Sequence, residues 1–196
     1  MVAVAYQRCA EFIEALPHTS PVIAAFVTAQ ARLKLYSYLE RLGDRVLYTD
    51  TDSIIYTTGL GDEYQPRIGS FLGDMTDELT EYGPGSYINE FVAGGPKQYG
   101  FQVVSVNEQK CKHEVKLRGF TINATTANLL NYQNLRRLVF TLIRLGFPQD
   151  TLDIVLHKIE KCEDRTVVSK TVKKTYKPMY NKRRLLADGS SLPYGY

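Results

Sequence analysis

Apolar residues at Val22, Phe26, Ala29, Leu33 and Tyr36 recur at spacings of four and three, the period of an amphipathic helix. Ser20 before Pro21 supplies a helix start, and Gly43 a stop. The stripe is expected to face a core. Arg45–Tyr48 and Ser53–Tyr56 are β-branched and aromatic, and Thr-Asp-Thr-Asp between them is turn chemistry, so this stretch predicts a tight hairpin. Residues 57–88 are rich in glycine and proline, with one or two helical turns expected over Asp74–Leu79. Ile88–Val106 (INEFVAGGPKQYGFQVVSV) reads strand, Gly94-Gly95-Pro96 turn, strand. Lys110–Phe120 predicts a further strand. Leu129, Leu130, Leu135, Leu138, Val139, Leu142 and Ile143 predict a helix reaching Gly146, with Asn123 as a possible cap. Thr166–Leu186 is strand-like, and Val4–Leu16 predicts a short helix ending before Pro17. Helices and hairpins mixed in this order predict an α+β fold.

Hydrophobic residues at 44% and charged residues at 23% are those of an ordinary globular chain, and 196 residues suit one domain or two small ones. The net charge of +3 is unevenly placed. Arg165–Arg184 holds eight cations and no carboxylate, leaving 16 cations against 21 carboxylates elsewhere. A basic segment on an acidic body suggests one region that meets a polyanion, against the plainer reading of a solvated hairpin. Cys9, Cys111 and Cys162 are odd in number and lack metal-ligand spacing, which predicts free thiols and a reducing, intracellular compartment. No leader and no membrane-length apolar run is read.

Asp50 and Asp52 carry the candidate chemistry. Residues two apart in an extended chain face one way, so the two carboxylates are expected to share one side of the hairpin tip. Like charges that close favour an intervening cation, and hard oxygens suit magnesium, which takes one or two carboxylates and completes its shell with water and phosphates. The plainer reading is that Asp is common in turns. No EF-hand glycine and glutamate follow. Lys97 and Tyr99, also two apart, are expected to share a face, as a cation and an aromatic beside a nucleic-acid backbone, against the plainer reading of a routine exposed strand face. His113 reads as a surface histidine, and Asp74, Asp77, Glu78 and Glu81 as an exposed acidic helix. Tyr176 and Tyr180 interleave with the basic residues of the last block, as in a strand-gripping surface or a lysine-protected edge hairpin.

The string Tyr48-Thr49-Asp50-Thr51-Asp52-Ser53 resembles the catalytic Tyr-x-Asp-Thr-Asp-Ser hairpin, motif C, of family B DNA polymerases. Lys97-Gln98-Tyr99, some 45 residues later, resembles their Lys-x-Tyr motif. FVTAQARLKLY, LGDMTDEL, FVAGGPKQYGF, KLRGFTIN, YNKRRLL and LPYGY are similar to the C-terminal part of protein-primed members, of Polinton/Maverick transposon and related viral type. The resemblance covers nearly everything from Pro21 onward. Tyr48-Thr49 stands where Tyr-Gly is commoner.

The resemblance implies a DNA-directed DNA polymerase, a nucleotidyltransferase adding deoxynucleotides to a 3′-hydroxyl by two-metal-ion catalysis. Residues 1–118 would be the C-terminal part of the palm, an antiparallel sheet with a packed helix, and residues 119–196 a thumb-like DNA-gripping subdomain. Asp52 would be the direct metal ligand and Asp50 would sit beside it, holding Mg²⁺. Tyr48, Thr51, Lys97, Tyr99, Lys116, Arg118, Lys173, Lys174 and Lys177 would contact primer or DNA. The implied partners are primer–template DNA, deoxynucleoside triphosphates and a terminal protein primer, with no membrane. The compartment would be the nucleus if the parent is a transposon of a eukaryotic host. The family's Asp-x-x-Ser-Leu-Tyr-Pro strand, its fingers helix ending in Asn-Ser-x-Tyr-Gly and its exonuclease acids are not found in these 196 residues. A fragment with a half-built metal site, inactive alone, is therefore expected. The alternatives are a non-catalytic nucleic-acid-binding remnant and a structural domain whose Asp pair is only a turn.

Overall fold

The computed structural model describes residues 19–106, 110–146, 148–180, 183–186, 188 and 190–193. The fold is α+β, with two α-helices and small antiparallel sheets. The expected helix at Val4–Leu16 lies outside the described residues. The chain divides into two units, the first ending at Thr76 and the second beginning at Asp77.

In the first unit, α1 spans Pro21–Leu42. Ser20 Oγ accepts the Ile23 N–H at 3.3 Å, and Gly43, at φ +55°, closes the helix by donating its N–H to Leu39. Both caps are the ones expected. The buried face is not. Val22, Phe26, Leu33 and Tyr36 keep more than half of their surface exposed, whereas Tyr38 and Leu42 are buried. At 3.6 residues per turn, these two lie about 160° and about 200° round the helix from Val22. Apolar residues such as Ile23 and Val27 also lie off the expected stripe, so the pattern alone did not select a face. Contact is made where the loop after the hairpin packs: the Tyr38 hydroxyl donates to the Gly73 carbonyl at 3.3 Å. A 3-10 turn, Gly43–Arg45, leads into β1 (Val46–Asp50), which pairs antiparallel with β2 (Ser53–Tyr56).

The second unit opens with a 3-10 turn at Glu78–Tyr82, slightly later than the expected helical turns, capped by Asp77 Oδ1 accepting the Leu79 N–H at 2.9 Å. Strands β3 (Tyr87–Gly95), β4 (Gln98–Ser105) and β5 (Lys110–Leu117) form an antiparallel meander in that order. Helix α2 (Tyr132–Leu145) covers one face of it. Its cap is Asn131, whose Oδ1 accepts the Asn134 N–H at 2.9 Å. Asn123 instead ties a turn, accepting the N–H groups of Thr125 and Thr126. Gly146, at φ +77°, ends the helix as the sequence predicts. Leu135, Leu138, Val139 and Leu142 face inward at helical spacing. Gly100 makes the close approach possible: a Cβ there would meet Leu135 Cδ2 at 3.0 Å and Tyr132 Cδ2 at 3.1 Å.

Strands β6 (Leu152–Lys161) and β7 (Val167–Tyr176) form a long ribbon, of which β6 has no counterpart in the sequence reading. Only its base is anchored, through Leu152, Ile154, Leu156 and Tyr176, which join Val92, Leu117, Leu130 and the α2 side chains in one core. A short pair, β8 (Arg183–Leu185) and β9 (Ser191–Pro193), follows. The expected boundary after Arg118 falls between β5 and α2, which share that core. Cys111 and Cys162 are free thiols, and no described helix is long and apolar enough to cross a membrane.

Leu135, 1% exposed, sits at the centre of this packing. Leu135→Ala is expected to cost about 2–5 kcal/mol in urea unfolding of the full chain. Ile159→Ala, at a side chain 82% exposed on the distal ribbon, is expected to cost under about 0.5 kcal/mol.

Candidate functional site

The hairpin forms where expected, and its turn is two residues long. Asp50 pairs with Ser53, leaving Thr51 and Asp52 to reverse the chain. Thr51 sits at φ +54°, and the Asp52 N–H donates to the Asp50 carbonyl at 2.5 Å. Ser53 Oγ donates to the same carbonyl at 3.2 Å, and Thr51 Oγ1 donates to the Asp50 carboxylate at 3.1 Å. Along β1, Val46, Tyr48 and Asp50 are half-buried while Leu47 and Thr49 are exposed, so strand alternation holds as far as Asp50. It stops there. Thr51 is left-handed rather than extended, so the two-residue rule does not set the direction of Asp52 relative to Asp50. One carboxylate ends β1 and the other lies in the tight reversal, with Asp52 exposed and Asp50 half-buried.

Arg45 fixes the base of this hairpin and was not singled out from the sequence. Its Nη1 donates to Asp62 at 2.5 Å, its Nη2 to the Tyr64 carbonyl at 2.5 Å, and its own carbonyl accepts the Thr57 N–H at 2.9 Å. Asp62 also accepts the Gly59 N–H at 2.7 Å. The loop after β2 is thus folded back onto the start of β1. The Gly59 N–H first, and the Arg45 guanidinium after it, hold the Asp62 carboxyl below its ordinary 3.8. An arginine before a strand and an aspartate 17 positions on share no periodicity, so nothing in the sequence pattern pairs them.

In the second unit, Lys97 lies in the turn rather than on β4. Pro96 and Lys97 make the reversal, Lys97 at φ +57°, and the strand begins at Gln98. As at Thr51, the two-residue rule therefore does not set the direction of Lys97 relative to Tyr99. The Lys97 carbonyl accepts the Arg118 N–H at 2.9 Å. Tyr99 pairs in register with Lys116, whose Nζ is 6.0 Å from the ring centre, and packs between the rings of Phe91 at 5.9 Å and Phe101 at 6.2 Å. The two glycines before the turn admit a crossing segment: Met179 N–H donates to the Gly94 carbonyl at 2.8 Å, and the Tyr180 hydroxyl donates to the Ala93 carbonyl. A Cβ on Gly95 would collide with the Met179 carbonyl.

The predicted basic run does not make one surface. Lys174 is on the side of the ribbon that carries Ile154 and Leu156, and its ammonium donates to the Gly119 carbonyl at 2.8 Å. Lys173, its neighbour in the strand, faces the other way and is exposed, and Lys177 is exposed beyond the strand end. Lys170 pairs with Glu160 at 2.9 Å. What the fold assembles is a corner of the sheet, with Lys97, Tyr99, Lys116, Arg118 and Lys174 around the β3–β4 turn and the end of β5. His113 is at the surface as expected, its ring stacked on Tyr132 at 4.9 Å.

No family model, curated protein or solved structure matches the chain.

Because Asp62 is depressed in the folded state, its contribution to stability is present above about pH 4 and is lost as pH falls through the lowered value. A carboxyl titration followed by NMR should place its midpoint below 3.8. Arg45→Gln should raise that midpoint without restoring the ordinary value, since the Gly59 N–H remains the larger influence.

Proposed function

We propose that the chain is the C-terminal palm and thumb portion of a protein-primed family B DNA polymerase, incomplete as a catalyst on its own. The observation that carries this reading is the Asp50-Thr51-Asp52 reversal, with Asp52 exposed at the end of an antiparallel hairpin that follows directly on a long helix. The donor set is hard oxygen and fits part of a magnesium shell, which needs only one or two carboxylates from protein. Divalent ions bound there would stabilise the attacking and leaving oxygens of an in-line phosphoryl displacement.

The chain's own residues divide the remaining work. Asp52 offers an exposed carboxylate. Asp50 is held in place by the Thr51 hydroxyl and lends its charge to the same turn. Lys97, Lys116 and Arg118 would hold a DNA backbone through phosphates, with Tyr99 fixing the surface under Lys116. Such contacts position a strand without reading its sequence. Deoxynucleoside triphosphates, the second metal-bridging carboxylate and a protein primer would come from, or be bound by, segments outside these residues.

The cationic corner also supports a second reading, a nucleic-acid-binding remnant without catalysis. Joining the chain to an upstream palm and fingers segment and assaying Mg²⁺-dependent primer extension separates the two. Under the polymerase reading, Asp52→Asn removes extension while DNA binding persists. The loss should exceed the ~10–100-fold that removal of even an outer-shell partner of a metal costs. Binding without extension in the joined protein would leave the remnant reading, and no binding at low salt would end both.

A further inference from the structure

The first unit carries a concave pocket of about 280 Å³ that uses none of the residues assigned above to metal or DNA. One wall is a flank of α1, where Lys34, Tyr38 and Arg41 follow at spacings of four and three and so stand in one row. The other wall is the loop beyond β2, with Tyr64, Arg67 and Asp74.

Three cations thus face one carboxylate, and that carboxylate is engaged: Asp74 accepts the Phe71 N–H at 3.2 Å. Among the described residues, Lys34, Arg41 and Arg67 have no carboxylate at ion-pair distance. Lys34 and Arg41 instead lie over aromatic rings, each 5.4 Å from the centre, of Tyr38 and Tyr64 respectively. The walls are held by bonds that leave these cations unused. Tyr38 ties α1 to the Gly73 carbonyl, and Arg45 holds the backbone of Tyr64. Like charges gathered in one concavity repel, and an anion between them relieves the repulsion. The volume is close to the ~300 Å³ lower end of small-molecule sites, enough for a phosphate and part of what it is attached to.

We propose that this pocket binds a phosphate group, carried either by a nucleotide or by a nucleic-acid strand. The proposal stands apart from the polymerase reading, because it needs neither the Asp50–Asp52 turn nor the Lys97 corner.

The test is NMR titration of the full 196-residue chain with inorganic phosphate, deoxythymidine triphosphate and a short oligothymidylate, at matched ionic strength, following the ring signals of Tyr38 and Tyr64. The expected result is a saturable shift of both rings. Affinity should fall at least about tenfold in the double variant Arg41→Gln/Arg67→Gln, the loss expected for charge-assisted bonds. Both arginines are exposed, so the unfolding midpoint should not move, and a single Arg67→Gln repeats the test with less disturbance. Tighter binding of the triphosphate identifies a nucleotide pocket, and tighter binding of the oligonucleotide a strand-tracking one; either supports the proposal. Unshifted rings with all three probes, or unchanged affinity in the double variant, would overturn it.

Discussion

A side-chain-bearing residue held in the left-handed region governs how this chain presents its chemistry. For an L-residue that conformation costs about 1–2 kcal/mol, and a β-branched threonine is among the residues least suited to it. Thr51 is held there by the Asp52 N–H reaching the Asp50 carbonyl and by its own hydroxyl on the Asp50 carboxylate. The result is a two-residue reversal with Asp50 at the end of β1 and Asp52 in the turn. Lys97 repeats the device at the β3–β4 turn, with the Arg118 N–H on its carbonyl. Strained residues of this kind concentrate at functional sites, where neighbouring structure holds the unfavourable geometry.

The two units reach order by different means. Around the hairpin, polar ties dominate: Arg45 binds Asp62 and Tyr64, and among the described residues of this unit the buried ones are Tyr38 and Leu42 of α1 and Pro66 of the loop. The second unit has a continuous apolar core between the meander, α2 and the base of the β6–β7 ribbon. The corner formed by Lys97, Tyr99, Lys116 and Arg118 therefore stands on a rigid sheet, whereas the carboxylate turn stands on a short ribbon clasped at its base. Rigid elements hold binding groups more tightly than loops do.

Elements with strong local signals were legible in the sequence. The Ser20-Pro21 start and Gly43 stop of α1, the hairpin about Asp50, the strands around Gly94-Gly95-Pro96 and the inward stripe of α2 all follow from periodicity and capping. What failed were readings that needed tertiary context. The exposed stripe of α1 could not be told from its buried flank, because apolar residues lie on both sides. In β6, only Leu152, Ile154 and Leu156 alternate inward before the strand leaves the core, too short a pattern to stand out beside the charged residues that follow. The candidate residues could be read from the sequence only as types and spacings. Their directions could not, because a two-residue turn interrupts strand alternation at Thr51 and again at Lys97. The Arg45–Asp62 clasp and the cationic pocket depend on how a glycine-rich loop folds back, which no local pattern encodes.

Paired oxygens displayed at the hairpin turn are the claim on which the functional account rests. Manganese(II), added in small amounts to the isotope-labelled 196-residue chain, broadens amide signals near any carboxylate that binds it. The account predicts selective loss of the Thr51, Asp52 and Ser53 signals, abolished when Asp50 and Asp52 are both replaced by asparagine. Signals at the turn that survive manganese, or that broaden equally in the doubly substituted chain, would contradict it.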